Sequence, residues 1–566
     1  MDKKKGLLNI TTSLVFKLII IIASIFVRRM IIKYVGNEIN GLNALFTSII
    51  GVLGVAELGV GAAITFCMYK PIVDGDTPTI AALYRTFWNL YFIIGGVVLL
   101  CGCALMPALP FFAKDYDIAG VNIYLSFGLV LISVFISYVF SAKTSLINAH
   151  KNDFITTIIS SCSLLLQYGL QIFVLYQFQS FVAFLICQIF AMIIQFIAIK
   201  LVVRKKYTNI IKTKSKLNAE TKNSVVKNIK AMFAHKIGHA LVNGVDSIII
   251  SAVLGVAVLG FYTNYTTIMV SMVNVIALVF TAMTSVVGHA LVESNDDSKR
   301  RYFDFFHVLN FILGCVFFLG YYAVIDNLVT LLFGKSLEVA KSISIVITIN
   351  YFIQFMRQSI ILFRDASGTF YYDRWRPIVE GVLNIGLSIG FVYLFNYLWG
   401  ANFAVVGVIV ATILTNLAIS LVVEPFVLFK YTLNTSPIKF YVKNYYCIAI
   451  FVCILFALHF SMIKSDNQWV ELFANGGISL AYSLTVLAVV VLINKDFRHY
   501  AKNFLLRLNR HKDNRLQTVV ATSGAIADQT VEDANVSNEN SISINEDVNS
   551  DVAVKVDKDS DNVTNA

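Results

Sequence analysis

The sequence contains fourteen apolar segments, each long enough to cross a lipid bilayer. About 20 residues suffice, because an α-helix rises about 1.5 Å per residue and the hydrocarbon core is about 30 Å thick. The first half holds six segments, at 8–34, 39–69, 83–112, 121–147, 154–176 and 179–203. The second half holds eight, at 229–254, 257–292, 306–325, 339–366, 377–399, 402–429, 445–463 and 473–493. The pattern predicts an all-α polytopic membrane protein with about 14 transmembrane helices.

The first two segments recur about 219 residues later in the chain. Without a gap, Asn9–Thr65 aligns with Asn228–Thr284. The alignment pairs Gly36 with Gly255, so the turn between the two segments stays in register. A duplicated half is a common transporter design, with the substrate site between the halves. The repeat predicts two pseudo-symmetric six-helix bundles followed by two extra C-terminal helices.

The distribution of charge predicts the arrangement of these parts across the membrane. Basic residues crowd every other connection, which the positive-inside rule assigns to the cytoplasm together with both termini. The predicted parts are the first bundle at 1–203, a basic cytoplasmic linker at 204–228, the second bundle at 229–429, two additional transmembrane helices at 430–493, and a cytoplasmic tail at 494–566 that is basic and then disordered.

Composition excludes several classes of protein. With 57% hydrophobic and 14% charged residues, the chain is not a soluble protein. The net charge of +11 lies mainly between the spans, so it supports the topology and not a nucleic-acid partner. We find no phosphate-binding Gly-rich loop, no zinc-ligand spacing and no nucleophile elbow. We therefore expect a protein that is not an enzyme and has no cofactor or metal.

Four segments place their polar residues on one face each, given 100° of rotation per residue in a helix. These faces comprise Ser13, Lys17, Ser24 and Arg28 in the first segment, His235, His239, Asn243 and Asp246 in the seventh, Asn264, Thr267, Ser271 and Asn274 in the eighth, and Asn350, Gln354, Arg357 and Arg364 in the tenth. Such faces either form hydrogen bonds between helices or line a polar path through the bundle.

The charged members of these faces predict a site for an anion. Arg357 and Arg364 are the leading substrate contacts, because we expect no acidic partner for them within their own segment. Lys17 and Glu57 lie at similar depth, so a structural ion pair between them is an alternative to a role in the cavity. The candidates for pyrophosphate or cavity contacts are Arg28, Arg357, Arg364, Lys17, Lys236, Asn350 and Gln354. The cavity is expected to be net cationic.

The acidic and imidazole groups raise a separate hypothesis, that of ion coupling. Asp246, with His235 and His239 on the same face, could bind and release a proton or a sodium ion during a transport cycle. Glu57 is a further candidate for ion coupling or for the cavity. A histidine inside a membrane bundle is otherwise a hydrogen-bonding core residue, so both interpretations stay open.

One segment resembles a known family. Arg28–Ile72 reads RRMIIKYVGNEINGLNALFTSIIGVLGVAELGVGAAITFCMYKPI. It resembles the opening hairpin of bacterial polysaccharide-unit flippases of the O-antigen, capsule or teichoic type. These belong to the multidrug/oligosaccharidyl-lipid/polysaccharide exporter superfamily. The shared features are Gly36, the Gly41-Leu42-Asn43 turn, Glu57-Leu58-Gly59 and Tyr69-Lys70-Pro71 in the same order. Over the rest of the chain the resemblance rests on span count, repeat and linker position.

The resemblance implies a flippase that works by alternating access in a bacterial plasma membrane. Its substrate would be an oligosaccharide on a polyprenyl pyrophosphate, turned from the inner to the outer leaflet for cell-surface polysaccharide biosynthesis. Arg28 and Glu57 are the motif positions it carries over. The implied partners are this lipid-linked oligosaccharide, membrane lipids, a coupling ion (H⁺ or Na⁺) and polysaccharide polymerase or chain-length machinery.

Two alternatives to a flippase remain open at this point. One is an ion-coupled multidrug or small-molecule exporter of the same superfamily, which would need an acidic cavity for cationic molecules. The other is a membrane-embedded glycosyl-transfer or polymerising enzyme, which would usually need a sizeable outer loop with acidic or metal-binding residues. The predicted outer loops are all short.

Overall fold

The chain is described here from a computed structural model. The described residues are 3–54, 60–115, 120–213, 215, 217, 244–293, 295–369, 372–494 and 497–498. In the first half they form α1 Lys3–Tyr34, α2 Asn37–Leu53, α3 Val60–Val73, α4 Thr77–Leu105, α5 Leu109–Phe112, α6 Ile123–Ala149, α7 Asp153–Phe178, α8 Phe181–Lys206 and α9 Thr208–Lys212.

The second half has the same all-helical character. Its described helices are α10 Gly244–Leu254, α11 Val256–Glu293, α12 Asp296–Phe333, α13 Lys341–Met356, α14 Gln358–Ser367, α15 Arg376–Trp399, α16 Ala401–Thr415, α17 Leu421–Tyr431, α18 Ile438–Ser461 and α19 Gln468–Ile493. A π-helical turn at Asn416–Ser420 joins α16 to α17.

The predicted all-α membrane fold is confirmed. Among the described residues, 11 helical segments are long and apolar enough to span a bilayer. The predicted spans fall on described helices, with two exceptions. The second, at 39–69, is described except for residues 55–59, and the seventh, at 229–254, is described only from Gly244 onward. The boundaries of the predicted domains stay predictions, and almost all of the tail at 494–566 lies outside the described residues.

The offset of 219 residues found in the sequence recurs in the helix boundaries. Gly36 and Gly255 both have a positive φ, +109° and +99°, and α2 and α11 follow them directly. Glycine adopts this conformation readily because it lacks a Cβ atom. Asp76 and Asn295 cap α4 and α12 by accepting a hydrogen bond from a backbone N–H three residues later, at 3.0 Å in both cases. Both halves therefore use the same turns in the same order, as the predicted pseudo-symmetry requires.

Helices α2 and α11 bring the two halves into direct backbone contact at a pair of glycines. A Cβ atom at Gly41 would lie 1.9 Å from the carbonyl oxygen of Val256, and one at Gly260 would lie 2.5 Å from that of Asn37. Neither position therefore has room for a larger residue. Gly41 and Gly260 are also partners in the repeat alignment, and we call their contact the glycine crossing.

Hydrogen bonds between the halves lie beside the glycine crossing. Asn40 Nδ2 donates to Asn264 Oδ1 at 3.0 Å, and Asn264 Nδ2 donates to Asn37 Oδ1 at 3.2 Å. The Lys114 carbonyl, in the connection after α5, accepts from the Val256 N–H at 3.2 Å. These contacts hold the described parts of the two halves together at the end of the bundle where α1 joins α2. We call this end the closed end.

The first half forms a ring of helices. In this ring α1 packs against α7, α7 against α8, α8 against α6, and α6 against α4, while α3 packs on both α4 and α6. In the second half, α15 packs along α16 and α11 along α14, while α18 packs on α12 and α13. The ring has an inner face toward α11 and an outer face, and each carries a pocket described below.

Candidate functional site

A polar pocket of about 230 Å³ lies inside the first half and reaches α11. Its lining includes one guanidinium, from α1, and five amide side chains from α2, α7 and α8: Arg28, Asn40, Asn43, Gln167, Gln171 and Gln188. We call it the amide pocket. Helical spacing predicted only the arginine, because the amides come from three other helices.

Arg28 is held in this pocket by neutral groups. Its Nη1 atom lies 3.2 Å from Asn264 Oδ1 and 3.3 Å from Thr263 Oγ1, both on α11. Within the described part of the chain, no carboxylate lies within salt-bridge distance of Arg28. A guanidinium in a membrane bundle is costly without a counter-charge. Among the described residues, the positive charge of Arg28 therefore has only neutral partners.

The amides of the pocket keep hydrogen-bonding capacity for a ligand. Gln188 donates to Ser133 Oγ at 3.1 Å, and Gln171 donates to the Phe184 carbonyl at 3.3 Å. The Gln171 Oε1 atom is buried without a hydrogen-bond partner in the described residues. A carboxamide has two donor hydrogens and an acceptor oxygen. These side chains can therefore both donate hydrogen bonds to hydroxyl groups and accept hydrogen bonds from them.

A second group of charged residues lies in the other half, around the carboxylate of Glu424 on α17. Its oxygens accept from Arg357 Nε and Nη2 at 3.0 and 2.8 Å, which is a bidentate pair. Arg376 Nη2 lies 2.9 Å and Arg364 Nη1 lies 3.5 Å from the same carboxylate. The Glu424 side chain is fully buried. One carboxylate therefore links three guanidinium groups.

Two further buried carboxylates complete this group, which we call the arginine cluster. Asp373 Oδ2 lies 3.2 Å from Arg364 Nη1 and 3.4 Å from Arg376 Nε. Glu380 forms an ion pair with Arg376, one helical turn away on α15. Three arginines thus face three buried carboxylates, and their formal charges cancel.

Irregular backbone positions the arginine cluster. Arg357 lies at the junction where α13 ends and α14 begins. Its Nη1 atom donates to Asn416 Oδ1 at 2.7 Å, and Asn416 opens the π-helical turn. Ser420, at the end of that turn, accepts from Arg376 at 2.6 Å. Such turns occur frequently at functional sites.

The arginine cluster forms one wall of a cavity of about 320 Å³ between α11 and α13–α17. Gln354 and Asn274 also line it. The Arg357 side chain is 14% exposed, whereas those of Arg364 and Arg376 are nearly buried. Arg357 is therefore the cluster's most accessible guanidinium.

The expectation that neither Arg357 nor Arg364 has an acidic partner within its own segment is wrong, because Asp365 lies in that segment and pairs with Arg364. Asp365, the next residue, lies 3.0 Å from Arg364 Nη2, and Glu424 binds both arginines from α17. Spacing within one helix cannot reveal partners from a helix about 60 residues away. The net cationic character predicted for the cavity does not extend to this cluster, and the role of both arginines in substrate binding stays a prediction.

The structure adds charged residues that helical spacing did not single out. Arg376, Glu380 and Glu424 belong to the cluster, and both glutamates lie within predicted spans. A carboxylate inside an apolar segment is itself a sign of function or of a buried partner. That signal was present in the sequence.

Asp246 meets polar groups from two other helices. Its Oδ2 accepts from Thr412 Oγ1 at 3.0 Å, and Asn384 Nδ2 donates to the same hydroxyl at 2.9 Å. The Asp246 Oδ1 and Asn384 Oδ1 atoms are buried without partners among the described residues. Helices α10, α15 and α16 thus bring together two oxygens with unused acceptor capacity.

The other predicted site residues are placed differently. Asn350 is buried and accepts from Gln354 Nε2 at 3.2 Å. Lys17 is half-buried on α1, about 16 Å from Arg28 along the helix axis, and lines neither the amide pocket nor the cavity. The remaining candidates, Glu57, His235, Lys236 and His239, lie outside the described residues.

Comparison with protein-family models shows which family the chain belongs to. A family model described as polysaccharide biosynthesis protein matches residues 42–342, more than half of the 566 residues. The chain belongs to this polysaccharide biosynthesis family. No curated protein matches it significantly at the sequence level.

Solved structures show which fold this member of the family has. A multidrug resistance MATE family transporter of the MOP superfamily in an inward-facing conformation aligns with a TM-score of 0.55 and 14% identity, over 77% of this chain and 98% of that one. The lipid II flippase MurJ in an inward closed conformation aligns with a TM-score of 0.54 and 13% identity, over 84% and 98%. Family and fold together describe a multi-pass membrane protein of a polysaccharide biosynthesis family, with a fold similar to those of these two proteins.

Proposed function

We propose that the protein flips polyprenyl-pyrophosphate-linked oligosaccharide units from the inner to the outer leaflet of a bacterial plasma membrane. The amide pocket carries this proposal. A diphosphate needs a cation without its own counter-ion, and Arg28 is such a cation among the described residues. A saccharide needs amide groups for its hydroxyls. The match to a polysaccharide biosynthesis family supports the same substrate class.

The contacts between the halves fit an alternating-access cycle. With both termini in the cytoplasm, the closed end faces outward. The glycine crossing and the hydrogen bonds of Asn37, Asn40 and Asn264 would then seal the outer side. Arg28 itself bonds across the halves to Asn264, so an anion that engages Arg28 competes with part of this seal. Substrate binding and opening of the outer side would be linked in this way.

The arginine cluster has a secondary role in this proposal. Arg357 and Arg364 are already paired with carboxylates, so a diphosphate would have to displace Glu424 to bind them. Arg357 lines the cavity and is the candidate for a second, transient contact during translocation. Arg364 is nearly buried, and we propose that it holds the cluster together.

A small-molecule exporter for cationic compounds is less well supported. It would need a cavity with excess negative charge to attract its substrate. Among the described residues, the amide pocket is lined by a cation and no carboxylate, and the arginine cluster is balanced. These features favour an anionic substrate.

Replacing Arg28 tests the anion site. We expect Arg28→Ala to slow translocation of a polyprenyl-pyrophosphate oligosaccharide in liposomes at least about tenfold, because the remaining amides carry no charge to offset the diphosphate. Arg28→Lys should recover part of the rate, since it keeps the charge but not the bidentate geometry.

Arg29→Ala is the matched control for this test. It removes the same charge at the same depth, but Arg29 is exposed and does not line the amide pocket. Its rate should stay close to that of the unmodified protein. Equal rates for Arg28→Ala and the unmodified protein would remove the anion site from the proposal.

We also propose that Asp246 holds the coupling ion, a proton or a sodium ion, together with the Asn384 and Thr412 oxygens. Asp246→Asn should make translocation independent of both gradients, because a neutral amide neither titrates nor offsets a cation. The rate would be followed with a sodium gradient, a proton gradient and neither. Asp297→Asn, which alters an exposed acidic residue on α12, should retain the gradient response. An unchanged response in the Asp246 variant would refute this assignment.

A further inference from the structure

A separate pocket of about 560 Å³ lies on the outer face of the first half, over α6 and between α4 and α8. Its lining includes three cations and the aromatic rings of Trp88 and Phe196: the cations are Arg85, Lys143 and Lys200. We call it the lateral pocket. It shares no lining residue with the amide pocket.

The lateral pocket faces the membrane. The three helices around it expose large apolar side chains: Phe92 on α4 is 50% exposed, Ile132 on α6 is 46% and Ile197 on α8 is 49%. On helices that span a bilayer, such exposed apolar residues contact lipid acyl chains. The lateral pocket is therefore open sideways to lipid.

The cations of the lateral pocket have no counter-charges among the described residues. Within the described part of the chain, no carboxylate lies within salt-bridge distance of Arg85, Lys143 or Lys200. The Nζ atoms of Lys143 and Lys200 lie 5.3 and 5.9 Å from the centroid of the same Phe196 ring. Two ammonium groups over one ring attract the ring but repel each other. An anion placed between them would offset that repulsion.

All three cations lie at the same depth. Arg85 is eight residues from the start of α4, while Lys143 and Lys200 are each six residues from the ends of α6 and α8. These helix ends are on the side opposite the closed end, so the charges lie about 9–12 Å inside them. Each helix has 26 to 29 residues and is longer than the hydrocarbon core. A helix of this length centred on the core extends about 5–7 Å beyond it at each end, so the Cα atoms of the three cations lie about 5 Å below the headgroup boundary. Long Lys and Arg side chains reach the headgroups from that depth.

Aromatic side chains continue from the cations toward the middle of the membrane. Trp88 stacks on Phe92 with ring centroids 5.9 Å apart, and Phe92 meets Phe135 of α6 edge to face, also at 5.9 Å. A charged end followed by an apolar surface is complementary to a lipid with an anionic headgroup.

We propose that the lateral pocket binds an anionic phospholipid of the leaflet on the side where α4 begins. The phosphate lies among Arg85, Lys143 and Lys200, and an acyl chain runs along Trp88 and Phe92. The site is separate from the substrate path and does not depend on the identity of the transported molecule. Its occupancy would fix α4, α6 and α8 relative to one another, and so stabilise the first half.

Lipid binding by the purified full-length protein tests this proposal. The probe is phosphatidylglycerol added to protein in neutral detergent, with phosphatidylcholine as the uncharged comparison, and the readouts are thermal stability and native mass spectrometry. We expect phosphatidylglycerol to bind and to raise the unfolding temperature. The double variant Lys143→Gln/Lys200→Gln should bind it roughly tenfold more weakly.

A matched double variant separates the lateral pocket from general surface charge. Lys205→Gln/Lys206→Gln removes the same number of charges from the exposed end of α8, and it should bind as the unmodified protein does. Lys143→Arg/Lys200→Arg should retain binding, which shows that loss in the glutamine variant is not misfolding. Equal loss in both glutamine variants, equal binding of both lipids, or the same stabilisation by inorganic phosphate alone would overturn the proposal.

Discussion

Glu424→Gln is expected to destabilise the protein strongly, by about 3–5 kcal/mol, because it removes the buried carboxylate that three guanidinium groups share. The substitution keeps the side-chain volume, so packing changes little. Arg357, Arg364 and Arg376 would then share only two buried carboxylates, Asp373 and Glu380, which leaves an excess of positive charge in a largely buried cluster. The unfolding temperature of the purified protein in detergent and the yield of folded protein measure the effect.

Asp365→Asn is the control for the arginine cluster. This carboxylate also pairs with Arg364, but its side chain is 47% exposed. Exposed ion pairs contribute about 0–1 kcal/mol, so the unfolding temperature should hardly move. If Glu424→Gln were as stable as Asp365→Asn, the cluster would not hold α14, α15 and α17 together as described.

Gly41→Ala should separate the two halves at the closed end. The added Cβ atom would meet the Val256 carbonyl oxygen at 1.9 Å, and backbone cannot move aside as a flexible side chain can. Overpacking of this kind costs about 1–3 kcal/mol or more. Hydrogen exchange of the backbone amides at 37–43 and 256–264 should become faster, because α2 and α11 no longer shield each other.

Gly51→Ala provides the comparison on the same helix. A Cβ atom there has no neighbour within 4 Å, and alanine favours the helical state. Exchange at the closed end should therefore stay unchanged. Similar exchange in the Gly41 and Gly51 variants would mean that the glycine crossing does not hold the halves together.

The helical framework could be predicted from the sequence because its causes are local. Apolar length decides which segments span a bilayer, and the repeat was visible in the pairing of Gly36 with Gly255. The structure shows the same offset again in the caps at Asp76 and Asn295. Each of these features depends on a short stretch of sequence. It can therefore be recognised in the sequence without knowledge of tertiary contacts.

The candidate site was predicted only in part, because it is formed by side chains from several helices that are far apart in the sequence. The spacing of one segment put Arg28 on a polar face, but it could not show that amides from α7 and α8 surround it. It grouped Arg357 with Arg364, but their partner Glu424 comes from a helix about 60 residues later. The break at Arg357 and the π-helical turn at Asn416 also lack a local sequence signal. Two buried glutamates in apolar segments were the available clue.

The most direct test of the proposed function is leaflet accessibility of a fluorescent polyprenyl-pyrophosphate oligosaccharide in liposomes that contain the purified protein. We predict movement of this lipid to the opposite leaflet that requires the protein, with no ion-driven efflux of a cationic dye from the same liposomes. Dye efflux without movement of any of several such glycolipids would contradict the proposal and favour a small-molecule exporter.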